Sequence, residues 1–318
     1  MKVLNGVFDE DEAYIKDLSA SFPDIEIVTA TTPEDQLNHI RDAEVFHGFL
    51  TEELLAEAQQ LRWFHLPGAG IDGTLEVAGF ADSDIILTNA RGPHAPSMAN
   101  HAMAMMLMLA HKWHQFFRDE QERNWDPWNY VWQYEDLDGC TMGILALGDV
   151  GKAVARRAHG FGMKVLAVDK QPQPKMPEVD AIWGLDRLDD MVGLSDWLVI
   201  AAPFTEGTRG LIDRRRLELL PEGAHVIIIS RGGIVDESAL VDGLQSGRIA
   251  GAGIDAFEEE PLAQDSPLWT MDHVVITPHV AGVSAAVCVG LKAIFKENLR
   301  RYLAGEDFLY VCDKKEGY

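Results

Sequence analysis

The sequence predicts an α/β fold made of two doubly wound parallel sheets. Short apolar runs alternate with helical patterns along most of the chain, and residues 141–170, TMGILALGDVGKAVARRAHGFGMKVLAVDK, read as strand, tight turn, helix, strand. At 318 residues and 47% hydrophobic composition, there is enough apolar material for two cores. Parallel strands need a crossover, and a helix supplies it.

Taken in order, residues 3–7, 25–28, 43–46, 63–66 and 85–87 are predicted strands and 11–21, 33–40 and 52–60 predicted helices. The turn Pro67-Gly68-Ala69-Gly70-Ile71-Asp72 follows a strand directly. It is either a plain tight turn or a nest in which glycines on both sides of Ala69 let backbone N–H groups approach a carboxylate. Residues 97–117 form a predicted long helix whose Met103, Met105, Met106 and Met108 suit core packing. His101, His111 and His114 lie on it without a cysteine or carboxylate to complete a metal set, so they are expected to be solvated or satisfied.

Residues 124–137 break the rhythm with Trp125, Trp128, Tyr130, Trp132 and Tyr134. They either cap their own core or anchor a subunit contact, and the contact is favoured, which predicts a homodimer. Strands are expected again at 197–201, 224–229, 250–254 and 274–277, near-continuous in apolar residues as buried parallel strands are. Helices are expected at 214–220 and 237–246, and residues 298–303 are expected to close a last helix before a polar, mobile tail.

The helix that opens after Gly148 would aim its first N–H groups, from Asp149, Val150 and Gly151, at an anion. A dinucleotide pyrophosphate is the expected guest, because Asp169 closes the second strand roughly twenty residues on, where a carboxylate meets the ribose hydroxyls. Asp169 favours NAD over NADP; Lys170 softens that preference. Ala146 stands where the first glycine of the pattern belongs, and Asp149 adds negative charge to the turn, so its side chain is expected to point outward.

Composition narrows the function. With 27 Lys+Arg against 51 Asp+Glu the net charge is −24, which argues against nucleic acid or an anionic membrane as partner and serves solubility. The N-terminus resembles a first strand rather than a secretory signal, no run reaches membrane-spanning length, and Cys140, Cys288 and Cys312 lack metal spacing. A cytoplasmic protein with reduced thiols is expected.

Three polar residues stand just past predicted strand ends: Arg231, Glu260 and His279. Singly they could be a surface charge, one of three loop glutamates and a core histidine. Together they suit reduction of a carbonyl next to a carboxylate, with an arginine fork for the carboxylate, a histidine proton donor and a glutamate that favours the imidazolium.

SRGGIVDESAL, GAGIDAFEEEPL, DSPLW and TPHVAG, in this order after the dinucleotide turn, resemble the D-isomer-specific 2-hydroxyacid dehydrogenase family, and the likeness runs from the GAGID turn through TNARG to the last helix. The resemblance implies a Rossmann-type cofactor domain, residues 101–287, inserted into a flavodoxin-like substrate domain, residues 1–100 and 288–318, with the substrate in the cleft. It implies that Arg231 orients a small 2-oxo acid, His279 protonates its carbonyl oxygen and Glu260 keeps His279 protonated. Asp255 would hold the nicotinamide carboxamide, Pro203 and Thr205 would lie beside the cofactor, and Ala69 and Gly70 would offer N–H groups to the substrate carboxylate. Asn100 and Ile228 also depart from the family's common letters, but no departure touches Arg231, Glu260 or His279. The rival expectation is a non-catalytic NAD-sensing interaction protein on the same fold.

Overall fold

The computed structural model describes residues 1–8, 11–171 and 173–318, which form two units. The first contains Met1–Pro93 and Ser284–Tyr318, the second His94–Val283. In chain order the first unit runs β1 (Lys2–Asn5), α1 (Glu12–Ser21), β2 (Glu26–Thr29), α2 (Pro33–Ile40), β3 (Val45–His47), α3 (Glu52–Glu57), β4 (Trp63–Leu66), α4 (Asp72–Leu75) and β5 (Ile86–Asn89). The second runs α5 (His94–Ala110), α6 (Trp113–Glu122), β6 (Thr141–Leu145), α7 (Asp149–Gly160), β7 (Lys164–Val168), β8 (Ala181–Trp183), α8 (Leu188–Gly193), β9 (Trp197–Ile200), α9 (Arg214–Leu219), β10 (Ala224–Ile228), α10 (Glu237–Gln245), β11 (Ile249–Ile254) and β12 (Val274–Ile276). The chain then returns to the first unit through α11 (Ala285–Ala304).

The first sheet has the parallel order β2-β1-β3-β4-β5, the flavodoxin-like arrangement. Successive residues alternate faces: Leu4, Phe46, Phe64 and Leu87 enter one core, while Val3, Val45 and Trp63 enter another with Phe295 and Leu299 of α11. The second sheet is parallel, in the order β12-β11-β10-β9-β6-β7-β8. Counted from β6, this is the doubly wound dinucleotide order with one strand added beyond β11. Met142, Ile144, Val165, Val199 and Ile227 pack on one face with α5 and α7, and Leu145, Leu166, Leu198, Ile200 and Val226 pack on the other with α8 to α10.

Several expectations are corrected. The long helix over 97–117 is two helices, because Lys112 sits at φ +55° and the ring of His114 bonds the carbonyls of Met108 and Asp272, turning the chain after Ala110. No glycine or proline marks that break. Of the last helix only the close is read from sequence; it spans Ala285–Ala304, capped at its start by the Ser284 hydroxyl, which accepts from the Val287 N–H at 3.2 Å, and at its end by Gly305 with φ +67°. Gly290 and the β-branched Val287 and Val289 weaken the local signal, and burial of Phe295 and Leu299 overrides it. The polar tail is docked: Cys312 N–H donates to the Leu87 carbonyl at 2.9 Å, and Val311 bridges Thr88 in antiparallel sense. β8, three half-buried residues, carries too little pattern to be read from sequence. Both crossings between units fall a few residues before the expected ones, because α5 packs whole into the second unit's core from Ala95 onward.

Candidate active site

Every strand of the second sheet points its carboxyl end the same way, so the loops after β6, β7, β9, β10, β11 and β12 share one rim. At β6 the chain turns through Ala146, which adopts φ +74°, a conformation that costs an L-residue about 1–2 kcal/mol and that glycine would relieve. Gly148 caps α7, and a Cβ built on it would meet nothing within 4 Å, whereas one on Gly151 would lie 2.1 Å from the Ala146 carbonyl oxygen. Gly151 therefore lets the helix press against the turn, and Gly148 leaves open space before the N–H groups of Asp149, Val150 and Gly151, which have no intrahelical acceptor. Asp149 is exposed, as expected of a side chain turned outward.

Asp169 stands just past β7. Its Oδ2 accepts from the Leu147 N–H at 2.7 Å and its Oδ1 from the Gln171 N–H at 2.8 Å. The carboxylate thus ties the end of β7 to the turn after β6 and keeps lone pairs for hydroxyl donors. These residues fit a dinucleotide. After β9, Thr208 Oγ1 donates to the Pro203 carbonyl at 2.7 Å and accepts from the Thr205 N–H at 2.8 Å, which closes the Pro203–Thr205 loop on itself.

The loops after β10, β11 and β12 bring Arg231, Glu260 and His279 together. The Nδ1 of His279 lies 2.8 Å from Glu260 Oε2 and 3.0 Å from Oε1, and Glu260 Oε1 also accepts from the Phe257 N–H at 3.0 Å. An ionised carboxylate only accepts, so Nδ1 carries a hydrogen and Nε2 faces outward. Arg231 Nη1 approaches Nε2 at 3.4 Å and donates to the Ser230 carbonyl at 3.0 Å. The side chains of His279 and Glu260 are 42% and 37% exposed, open to a small molecule. His279 itself has φ +54°, a left-handed backbone that the surrounding loop must impose.

Asp255, past β11, is 1% exposed. Its Oδ1 accepts from Thr277 Oγ1 at 2.5 Å and from the Val280 N–H at 2.9 Å, and its Oδ2 accepts from the Ala281 N–H at 2.9 Å. His101 Nε2 bonds Thr277 Oγ1 at 2.9 Å. The sequence shows no link between His101 and the loop 176 positions away; only the fold makes it. Ser230 was also missed: its buried hydroxyl finds no protein partner, at the end of β10 next to Arg231. Among the described residues no group of three or more His, Cys, Asp or Glu side chains could hold a metal. Ala69 and Gly70 belong to the first unit, where they are exposed and Asn89 Nδ2 donates to the Ala69 carbonyl at 2.5 Å.

Residues 103–281 match the family model for the NAD binding domain of D-isomer specific 2-hydroxyacid dehydrogenases. The chain belongs to that family. Relatives of the chain include a glyoxylate reductase of Pyrococcus horikoshii, 32% identical over 280 residues covering 85% of this chain and 83% of that one. A D-3-phosphoglycerate dehydrogenase of Methanocaldococcus jannaschii is 30% identical over 287 residues, 89% of this chain but 54% of the relative, so the chain spans about half the length of that curated relative. Among solved structures, a family member from Xanthobacter autotrophicus Py2, in complex with NADPH and MES, is similar with a TM-score of 0.85 and 30% identity over 100% of this chain and 99% of that one.

Proposed function

We propose that this dehydrogenase reduces a small 2-oxo acid, of glyoxylate or hydroxypyruvate type, to the D-2-hydroxy acid with NADH. The observation that carries the reading is the His279–Glu260 pair at 2.8 Å with Arg231 against the free ring nitrogen, on the same rim as the dinucleotide turn. The bound nicotinamide supplies a hydride to the carbonyl carbon. Arg231 holds the carboxylate with its fork and orients the carbonyl. His279, as the imidazolium, donates its Nε2 proton to the carbonyl oxygen, which becomes the hydroxyl. Arg231 has only donors, so its contact to Nε2 must give way when that nitrogen carries the proton. Glu260 accepts from Nδ1 throughout, which fixes the ring.

Further parts of the reading rest on the family. The second unit would serve as cofactor domain and the first as substrate domain, with Ala69 and Gly70 giving N–H groups to the substrate carboxylate. Asp255, Pro203 and Thr205 would lie along the nicotinamide. Asp169 supports NADH over NADPH, since a carboxylate repels the added phosphate. Trp125, Trp128 and Trp132 are 93%, 79% and 93% exposed, which supports a homodimer anchored by this segment. Cys140, Cys288 and Cys312 are free thiols, in keeping with a reducing cytoplasm.

The test is oxidation of NADH and of NADPH with a panel of 2-oxo acids, and light scattering at micromolar concentration. NADH should give the higher kcat/KM with at least one acid, and Asp169→Ala should narrow the gap. No turnover with any acid would favour the NAD-sensing alternative, and a monomer would remove the dimer.

A further inference from the structure

We propose that His101 and Thr277 are positioning residues for the proton-donating loop: they orient Asp255 so that its one carboxylate grips the chain on both sides of His279. The proposal rests on the reading of His279 as proton donor and adds what holds that donor in place.

Past β12 the chain bends at His279, directly after Pro278. Before it, Thr277 Oγ1 donates to Asp255 Oδ1 at 2.5 Å; after it, the N–H groups of Val280 and Ala281 donate to Oδ1 and Oδ2, both at 2.9 Å. Three hydrogen bonds to one buried carboxylate bracket a residue held at φ +54°, a conformation that reverts when its surroundings loosen. The His279 N–H adds a bond to the Thr277 carbonyl at 3.1 Å, so Thr277 meets the bend through its backbone as well.

Thr277 has one hydroxyl proton and gives it to Asp255. Its oxygen can then only accept at the 2.9 Å contact with His101 Nε2, so His101 carries a hydrogen on that nitrogen. Through this contact α5 fixes the rotamer of the Thr277 hydroxyl. His101 Nε2 lies 3.7 Å from Asp255 Oδ1, too far for a direct bond of its own, so its hold on the carboxylate passes through Thr277. Neither residue touches the reacting atoms; both act through Asp255 on the placement of the imidazole.

Thr277→Val keeps the shape and removes the hydroxyl, Thr277→Ser restores it, and His101→Gln keeps an N–H donor that His101→Ala removes. Misplacing a catalytic group by about 1 Å costs roughly a hundredfold, so Thr277→Val should lower kcat about 10- to 100-fold, with KM for the acid held within about threefold. Thr277→Ser should return kcat to within about threefold of the parent, and His101→Gln should exceed His101→Ala. In the ligand-free protein, hydrogen exchange at Val280 and Ala281 should quicken in Thr277→Val and recover in Thr277→Ser. Unchanged exchange, an unchanged kcat, or a serine variant no better than valine would each overturn the proposal. If the parent reduces no 2-oxo acid, the functional reading fails, while exchange at the two amides by itself decides whether the grip exists.

Discussion

The two units use histidine in opposite ways. In the first, His47 and His65 are wholly buried in the middle of the sheet: His47 Nδ1 pairs with Asn5 Oδ1 at 3.0 Å, His65 Nδ1 with Thr88 Oγ1 at 2.7 Å, and the ring of Phe295 stacks on His47 at 3.9 Å. Burial pushes His47 well below its ordinary range and His65 down to about 3, so both are neutral packing groups. In the second unit, His279 stands at a strand end, part-exposed, with a carboxylate on one nitrogen and an arginine near the other. Burial, rather than residue type, separates these histidines: His47 and His65 are closed off from solvent, and His279 is open to it. His225 confirms the rule within the second unit: buried against Trp197 at 4.0 Å, it is pushed down to about 3 by loss of solvent.

The sharpest way to break this contrast is His279→Ala. It should lower kcat for 2-oxo acid reduction about 10²- to 10⁴-fold at every pH and leave NADH binding, followed by fluorescence titration, within about twofold. His65→Gln should do the reverse, lowering stability with kcat unchanged. Equal kinetic losses would end the distinction.

Phe295→Ala removes the ring that covers His47 and Trp63 and should cost the first unit about 3–5 kcal/mol in urea denaturation. Hydrogen exchange should place that loss in the strands of the first unit.

Acid tests the same groups without substitution. A histidine whose folded pKa is depressed binds its proton only in the unfolded chain between about 6.5 and the folded value, so stability falls as pH drops through that window. His47 and His65 together should remove about 2.7 kcal/mol per pH unit from the first unit well below pH 6.5. The second should lose about 1.4 from His225, plus a smaller share over a narrower window from His114, which burial also lowers. Exchange of strand amides at pH 7, 6, 5 and 4.5 reads both units, and equal slopes would refute the assignment.

A smaller effect is expected for Glu260→Gln, which keeps a side-chain acceptor for Nδ1 and removes the charge. It should lower kcat less than His279→Ala does; an unchanged kcat would mean that the 2.8 Å contact does not serve the proton donor. The smallest is Ala146→Gly. Relief of the left-handed backbone should stabilise the second unit by up to about 1 kcal/mol, after the added freedom of glycine in the unfolded chain is subtracted. A loss of stability would show that Ala146 is not strained.

How much of this was legible beforehand follows from the range of each interaction. β4 and α2 lie where their residues alone place them, Trp63–Leu66 and Pro33–Ile40, because a short apolar run and an N-cap with proline are local signals. Arg231, Glu260 and His279 could be singled out because each stands in the loop that follows an apolar strand. The break at Lys112, the full length of α11 and the docking of the Val311 segment on β5 were not, since each is decided by packing against residues distant in sequence. The same holds for the site. The amino-acid sequence by itself determined which strand ends carry charged and titratable side chains, through periodicity and turn chemistry that act over a few residues. Only the tertiary structure decided that Asp255 closes on both sides of His279 and that His101 reaches Thr277, because hydrogen bonds depend on distances of about 3 Å that only the packed sheet and α5 set.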